Sequence, residues 1–155
     1  MGEKREIEFP AAPTSDLLAE FVAYWQAKRG ERFAPPRSAI EPLELKRHLA
    51  HIFMLDVLDD GADYRYRLIG TDVSTARGSS VTGRKISELY ADPPQALAQA
   101  KAIFGKVVAA RQPVFARGPV FWVPGRDFLH FEGAYLPLSS DGHAVDIILC
   151  EVLYS

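Results

Sequence analysis

Few side chains in this sequence could do covalent or metal chemistry, and they are scattered along the chain. The one cysteine, Cys150, lies in the apolar run 145–152, which excludes an internal disulfide and a multi-cysteine metal site. The histidines lie before the predicted sheet, at strand edges or beside a turn, and they are His48, His51, His130 and His143. None of these residues has the spacing of a recognised metal site. We therefore interpret Cys150 as a small core residue and the histidines as solvated or hydrogen-bonded side chains, and we predict no metal site.

Glu132 with His130 is the best pair for acid–base catalysis, because the two residues lie on one predicted strand. A carboxylate and a histidine that converge inside a cavity with shifted pKa values would suit a small cone-shaped isomerase or dehydratase. This pair, however, shares a strand face with Glu151 at an expected sheet edge. The Gly-x-Ser-x-Gly motif of serine hydrolases is missing, and the stretch 77–84 lacks the spacing of a phosphate loop. We predict no catalytic residue, and a cone-fold enzyme is the alternative hypothesis.

Composition limits the class of protein further. A chain of 155 residues, 48% of them hydrophobic, fits one domain with one core, and we expect a flexible segment over 1–13 followed by a single domain over 14–155. The formal net charge of −2 provides no basic field for nucleic acid or an anionic membrane. The segment 1–9 is rich in charge, and no apolar run approaches the roughly 20 residues of a membrane span. We expect a cytoplasmic protein with neither nucleic acid nor membrane as partner.

The order of predicted elements is an amphipathic helix, two strands, short helical pieces, a longer helix and three strands. Turn residues such as Asp59-Asp60-Gly61 and Ser140-Asp141-Gly142 separate the strands. The predicted bounds are 17–30 for the first helix, 51–58 and 63–69 for the first strands, 94–110 for the longer helix, and 113–123, 127–138 and 143–153 for the last strands. Strand runs on either side of a helical block predict an α+β fold with one antiparallel sheet of about five strands.

Three stretches carry a resemblance to a known family. They are Pro-Arg-Ser-Ala-Ile-Glu-Pro at 36–42, Leu-Ala-His-Ile-Phe-Met-Leu-Asp-Val at 49–57, and Tyr-Arg-Tyr-Arg-Leu-Ile-Gly-Thr at 64–71 followed by Thr-Gly-Arg at 82–84. From about Asp16 to its last residue the chain resembles a stand-alone bacterial family of PAS domains, formerly a domain of unknown function and found largely in alphaproteobacteria. The resemblance implies a curved sheet with a cavity beneath the helices and a sensory or protein-interaction role. The family has no shared catalytic residues to carry over.

Two cofactors that other PAS domains hold are not expected here. Some PAS domains bind haem through a histidine on the longer connecting helix, and the segment 93–110 contains no histidine. Flavin-binding light sensors of the same fold use a cysteine in an Asn-Cys-Arg-type motif between the two halves, whereas Cys150 lies in the last predicted strand. We therefore predict no cofactor.

Strand parity groups the side chains of the last three strands into two faces, because short hairpin loops keep the same residues on the same side. One face is almost wholly apolar and collects Gly118, Val120, Trp122, Leu129, Phe131, Gly133, Tyr135, Ile148, Cys150 and Val152. The other is apolar with a polar margin and collects Arg117, Phe121, His130, Glu132, Leu136, Val145, Ile147, Leu149 and Glu151. In the first hairpin the same logic groups Phe53, Leu55, Val57, Tyr64, Tyr66 and Leu68, and it lets Asp56 pair with Arg65. The sequence does not determine which face of this hairpin lies on the same side of the sheet as the apolar face of the last three strands.

A cavity wall is one interpretation of the aromatic face, and a simple filled core is the other. Gly118 and Gly133 favour a cavity slightly, because missing side chains leave room. At Thr71 the alternatives are a helix N-cap and a ligand hydrogen bond. The candidate ligand-binding residues are Phe53, Tyr66, Thr71, Phe104, Trp122, Phe131 and Tyr135.

A sheet that is apolar on both faces must be covered on both sides. The aromatic stripe Phe21, Tyr24 and Trp25 of the first helix can cover the second face, either in its own subunit or across a homodimer. The sequence therefore predicts a sensory module that binds a small molecule, a protein partner or both, and that passes its signal to a separate protein. A structural interaction module with a filled core is a further alternative.

Overall fold

The computed structural model describes residues 7–69, 81–90, 94–121 and 129–155. The first helix, α1, spans Asp16–Arg29, and the hydroxyl of Ser15 caps it by accepting a hydrogen bond from the amide of Leu17 at 3.2 Å. It ends at Gly30, whose φ of 58° is a left-handed backbone conformation that glycine adopts without a steric penalty. The N-cap chemistry of the sequence thus fixes where α1 begins.

The five described strands form one antiparallel sheet in the order β2-β1-β5-β4-β3. The strands are β1 (Ile52–Leu58), β2 (Asp63–Ile69), β3 (Val114–Pro119), β4 (His130–Leu138) and β5 (Ile147–Tyr154). The chain reaches this order because β5, the last strand, pairs with both β1 and β4 and so joins the first hairpin to the last strands. The predicted α+β fold with five strands is confirmed.

Two further helices follow the first hairpin. The short α2 spans Ile86–Leu89, and α3 spans Pro94–Ala110. The buried side chains of α3 recur every three or four positions and form one stripe, and they are Ala96, Ala100, Ile103, Phe104 and Val107. Single 3-10 turns lie at Arg37–Ala39, Pro42–Leu45, Leu49–His51 and Asp59–Gly61. Among the described residues, no helix combines the length and the apolar character needed to cross a membrane.

The sheet separates two hydrophobic clusters. The inner cluster lies between the sheet and α3, and its strand residues include Phe53, Leu55, Tyr64, Tyr66, Phe131, Tyr135, Ile148, Cys150 and Val152. The outer cluster lies between the sheet and α1, and it includes Leu18, Phe21, Trp25, Leu45, Ile52, Met54, Ala134, Leu136, Leu138, Ile147 and Leu149. Both faces of the sheet are therefore covered within one chain.

The register of β1 against β5 fixes the phase that the sequence left open. Phe53 pairs with Cys150 and Leu55 pairs with Ile148, and paired residues on neighbouring strands point to the same face. The apolar faces of the two hairpins consequently join in the inner cluster. Asp56 also lies opposite Arg65, as expected, although its nearer ion-pair partner is Arg67 at 2.9 Å.

Three side chains do not follow the predicted parity. The β1–β2 register shifts between Met54 and Leu55, so Leu68 pairs with Met54 and is 44% exposed instead of joining the inner face. Phe121 and Val145 were expected on the outer face, but both pack with the inner cluster. They lie just outside β3 and β5, where the alternation of a strand no longer holds.

Candidate functional site in the inner cluster

Aromatic rings from the strands and α3 meet at the centre of the inner cluster. Phe104 of α3 contacts Tyr64 and Tyr135, with ring centroids 5.2 and 6.0 Å apart, and Phe53 at 6.5 Å. Phe53 also contacts Tyr66 at 5.7 Å and Tyr135 at 6.4 Å. These tilted and edge-on contacts have the separations that aromatic pairs prefer. A continuous aromatic wall thus lies beneath α3.

Hydroxyl groups add polar atoms to this apolar wall. The hydroxyls of Tyr66 and Tyr90 lie 2.6 Å apart and share a hydrogen bond. The hydroxyl of Tyr64 is buried and makes no hydrogen bond within the described parts of the chain. Burial raises the pKa of Tyr64, and it raises the pKa of Tyr135 well above its usual value. The phenols of Tyr64 and Tyr135 are therefore neutral at physiological pH and can donate a hydrogen bond.

The ring of Tyr135 fills the space that was expected to be empty beside Gly133. A Cβ atom at Gly133 would lie 2.5 Å from the hydroxyl oxygen of Tyr135 and 2.7 Å from its Cζ atom. The ring of Tyr135 therefore folds over the neighbouring glycine on the same face of β4. Gly133 makes space for a ring of this chain, and the expectation that it leaves room for a cavity is wrong.

The structure brings most of the candidate ligand-binding residues together. Phe53, Tyr66, Phe104, Phe131 and Tyr135 are all buried in the inner cluster. Thr71 and Trp122 lie outside the described residues, and so does the turn that was expected at Gly70 and Thr71. Sequence reasoning did not select Tyr64 and Tyr90, although the parity of β2 had placed Tyr64 on the correct face.

The predicted interface stripe on α1 faces the chain's own sheet. Phe21 and Trp25 are buried in the outer cluster, and the indole nitrogen of Trp25 donates to the carbonyl of Pro137 at 2.7 Å. Tyr24 lies beside them, and its hydroxyl donates to Glu44 at 2.8 Å. Of the two alternatives for α1, packing on its own subunit is the arrangement in this structure.

The pair that the sequence offered for catalysis lies on the surface. Glu132 is half-buried at the surface, and its carboxylate accepts hydrogen bonds from the amide of Thr14 at 2.6 Å and from its hydroxyl at 2.9 Å. His130 is exposed. Glu132 therefore fastens the start of α1 to β4, and neither side chain reaches the inner cluster.

Within residues 7–69, 81–90, 94–121 and 129–155, no group of three or more metal-binding side chains could hold an ion.

A buried ionisable pair in the outer cluster was missed by the sequence analysis. Glu151 was expected in a polar margin, but it is 0% exposed, and both of its oxygens lie 2.9 Å from Nδ1 of His48. Burial, with the charge of Glu20, raises the pKa of Glu151 to about 8. Burial also lowers the pKa of His48. A glutamate in the middle of the apolar run 145–153 was the available signal, because a buried charge requires a partner.

Comparison with known proteins identifies the family. The family model of the PAS domain matches residues 14–152, and the chain therefore belongs to the PAS domain family. Among solved structures, an RNA-binding light-oxygen-voltage receptor matches with a TM-score of 0.56 and 18% sequence identity, over 97% of this chain and 39% of the receptor. The chain thus spans well under half of that receptor, and the likeness concerns the fold. No curated protein matches the sequence.

Proposed function

We propose that this PAS domain is a sensory module that holds a small ligand at the inner cluster. Membership of the family supports the sensory class. The observation that supports ligand binding is the buried hydroxyl of Tyr64, which has no hydrogen-bond partner among the described residues. Leaving a buried polar group unpaired costs about 1–3 kcal/mol. A ligand that accepts a hydrogen bond from this phenol would remove that cost.

The chemistry of the inner cluster suggests the class of ligand. The surrounding side chains are apolar or aromatic, and the polar atoms on the described part of the wall include the hydroxyls of Tyr64, Tyr66 and Tyr90. An ionised ligand would lose its hydration here without gaining a counter-charge from these phenols. We therefore propose a mainly apolar, uncharged molecule with one or two hydrogen-bonding groups.

We further propose that the module acts by binding and not by catalysis, in the cytoplasm, and that a separate protein receives its signal. Glu132 and His130 favour this, because they lie on the surface and not in an enclosed site. A homodimer through Phe21, Tyr24 and Trp25 would require α1 to leave its own sheet and pack on a second copy. Such an exchange of an identical element is an established route to dimers.

Native mass spectrometry, compared with the denatured mass and an absorption spectrum, tests these proposals together. A discrete extra mass on the native protein supports a bound ligand and identifies its class. Tyr64→Phe removes the unpaired hydroxyl of the inner cluster at almost constant volume, and it should weaken retention of that mass. Tyr24→Phe is the matched control, because it removes a hydroxyl on the α1 side, and it should retain the ligand fully. A protein that remains bare after exposure to a cell extract contradicts ligand binding and favours the filled core.

The same spectrum reports the oligomeric state. A dimer that Trp25→Glu converts into a folded monomer supports the exchange of α1. A wild-type protein that stays monomeric at high concentration contradicts the dimer without the need for a variant.

A further inference from the structure

The pair of His48 and Glu151 occupies the centre of the outer face. Glu151 lies on β5, between Ile52 of β1 and Ala134 of β4. His48 belongs to the segment 42–51, and its ring lies 5.6 Å from that of Phe21 on α1. The pair therefore joins the central strand to the two elements that cover this face.

Three charged or titratable groups of the described residues act on the pair. From α1, a carboxylate oxygen of Glu20 lies 3.9 Å from Nε2 of His48. From the segment 42–51, Arg47 binds Glu20 at 2.8 Å, and both Arg47 and His51 oppose a positive charge on His48. The registered neighbours of Glu151 on β1 and β4 are apolar. The groups that shift the proton affinity of the pair thus lie on α1 and in the segment 42–51, and they are one carboxylate, one arginine and one histidine.

The number of protons that His48 and Glu151 hold together in the closed pair does not depend on which of the two carries the proton. A neutral carboxyl beside a neutral imidazole and a carboxylate beside an imidazolium contain the same number of protons, and both have no net charge. Burial favours this state over a lone buried carboxylate, and the pKa of Glu151 is accordingly raised to about 8. A solvated histidine loses its proton near 6.5. Between these two values the closed pair holds one proton more than the opened residues, so closure weakens as pH rises through that window.

We propose that His48 and Glu151 form a proton-dependent latch, which holds α1 and the segment 42–51 on the sheet when the shared proton is present and releases them locally when it is lost. The latch lies on the face opposite the inner cluster, and it does not depend on the proposed ligand.

Local release follows from the position of the pair. After the proton is lost, a carboxylate remains in an apolar cluster and faces the negative charge of Glu20. Removing α1 and the segment 42–51 hydrates that carboxylate without disturbing the strand pairs or α3. Gly30 and the prolines at 35–36 separate α1 from the rest of the covering layer and allow the chain to pivot there. The released state exposes the apolar outer face, which then becomes available to a partner.

Hydrogen exchange measured by mass spectrometry on the whole chain tests the latch in the wild-type protein. Peptides from α1, over 16–29, are compared at about pH 6 and about pH 8.5 after correction for the intrinsic exchange rate. We expect the opening equilibrium of α1 to rise by roughly 20-fold between these pH values, as set by proton affinities of about 8 and 6.5. Peptides from α3, over 94–110, are the internal control and should keep their protection. Equal protection of α1 at both pH values would overturn the proposal.

Two charge variants separate the latch from a purely structural contact. Glu20→Gln and Arg47→Gln break the same ion pair, so any loss of that contact is common to both. Glu20→Gln removes a negative charge that favours the shared proton, and it should move the midpoint of α1 opening to lower pH. Arg47→Gln removes a positive charge, and it should move the midpoint to higher pH. Shifts in the same direction, or no shift in either variant, would contradict the latch.

Glu151→Gln should abolish the rise in α1 opening above neutral pH, because an amide keeps a hydrogen bond to His48 and cannot ionise. Glu132→Gln is the matched control. It also touches the α1 region, through Thr14, but Glu132 lies at the surface and is only half-buried, and the variant should retain the full pH dependence. A Glu151→Gln protein that still opens α1 above neutral pH would place the titrating group elsewhere and overturn the assignment.

Discussion

The two faces of this sheet are both closed by helices, but their chemistry differs. The inner cluster joins aromatic rings of the strands to Phe104 of α3, and its polar atoms include phenol hydroxyls. The outer cluster packs Phe21 and Trp25 of α1 on aliphatic strand residues and encloses the ionisable pair of His48 and Glu151. For this reason we propose an uncharged ligand for the inner face and a proton-dependent latch for the outer face. One thin sheet can carry both properties because adjacent residues of a strand point to opposite sides.

The largest expected effect comes from opening the inner face. Phe104→Ala removes a ring that contacts three others, and it should lower the free energy of unfolding by about 3–5 kcal/mol, measured by chemical denaturation. Leu43→Ala is the control, because Leu43 is 77% exposed, and it should change stability by less than about 0.5 kcal/mol. A cost for Phe104→Ala as small as that of the control would show that the inner cluster is not a packed wall, and the contrast between the faces would fail.

Breaking the ionisable pair should have the next largest effect. Glu151→Leu or His48→Leu leaves one buried polar partner unpaired and should cost about 1–3 kcal/mol at pH 6. The double variant replaces both partners by apolar groups and should recover much of that loss. Denaturation of all four proteins gives the coupling energy directly. Additive losses in the double variant would mean that the outer face does not depend on the pair.

The smallest expected effect tests how tightly the inner face is filled. Gly133→Ala places a methyl group against the ring of Tyr135 and should destabilise the protein by about 1–2 kcal/mol, within the range for overpacked cores. Gly105→Ala on α3 is the matched control, since an added Cβ would meet no atom within 4 Å. That variant should gain about 0.5–1 kcal/mol from helix propensity. Thermal unfolding of both variants measures the difference, and a neutral Gly133→Ala would reveal free space beside Tyr135.

Sequence reasoning located most of the candidate site because its signals are local. The spacing of α3 selected Phe104, and the alternation of β1, β2 and β4 selected Phe53, Tyr66, Phe131 and Tyr135, which the inner cluster brings together. It failed where alternation is interrupted, at the register shift that exposes Leu68. It also could not see that Tyr135 turns over Gly133, because the direction of a ring depends on the space that its neighbours leave.

The sequence by itself determined the order of the elements, the start of α1 and, away from the register shift and the strand ends, the side of a strand that a residue occupies. These features depend on capping groups, on turn residues and on the alternation of strand side chains between two faces, all of which act over a few positions. Only the tertiary structure decided that β1 pairs with β5, that α1 covers its own sheet, and that His48 meets Glu151 across 103 positions of the chain. Contacts between residues so far apart follow from how the whole sheet closes, and no local pattern in the chain encodes which distant partner fills a given place.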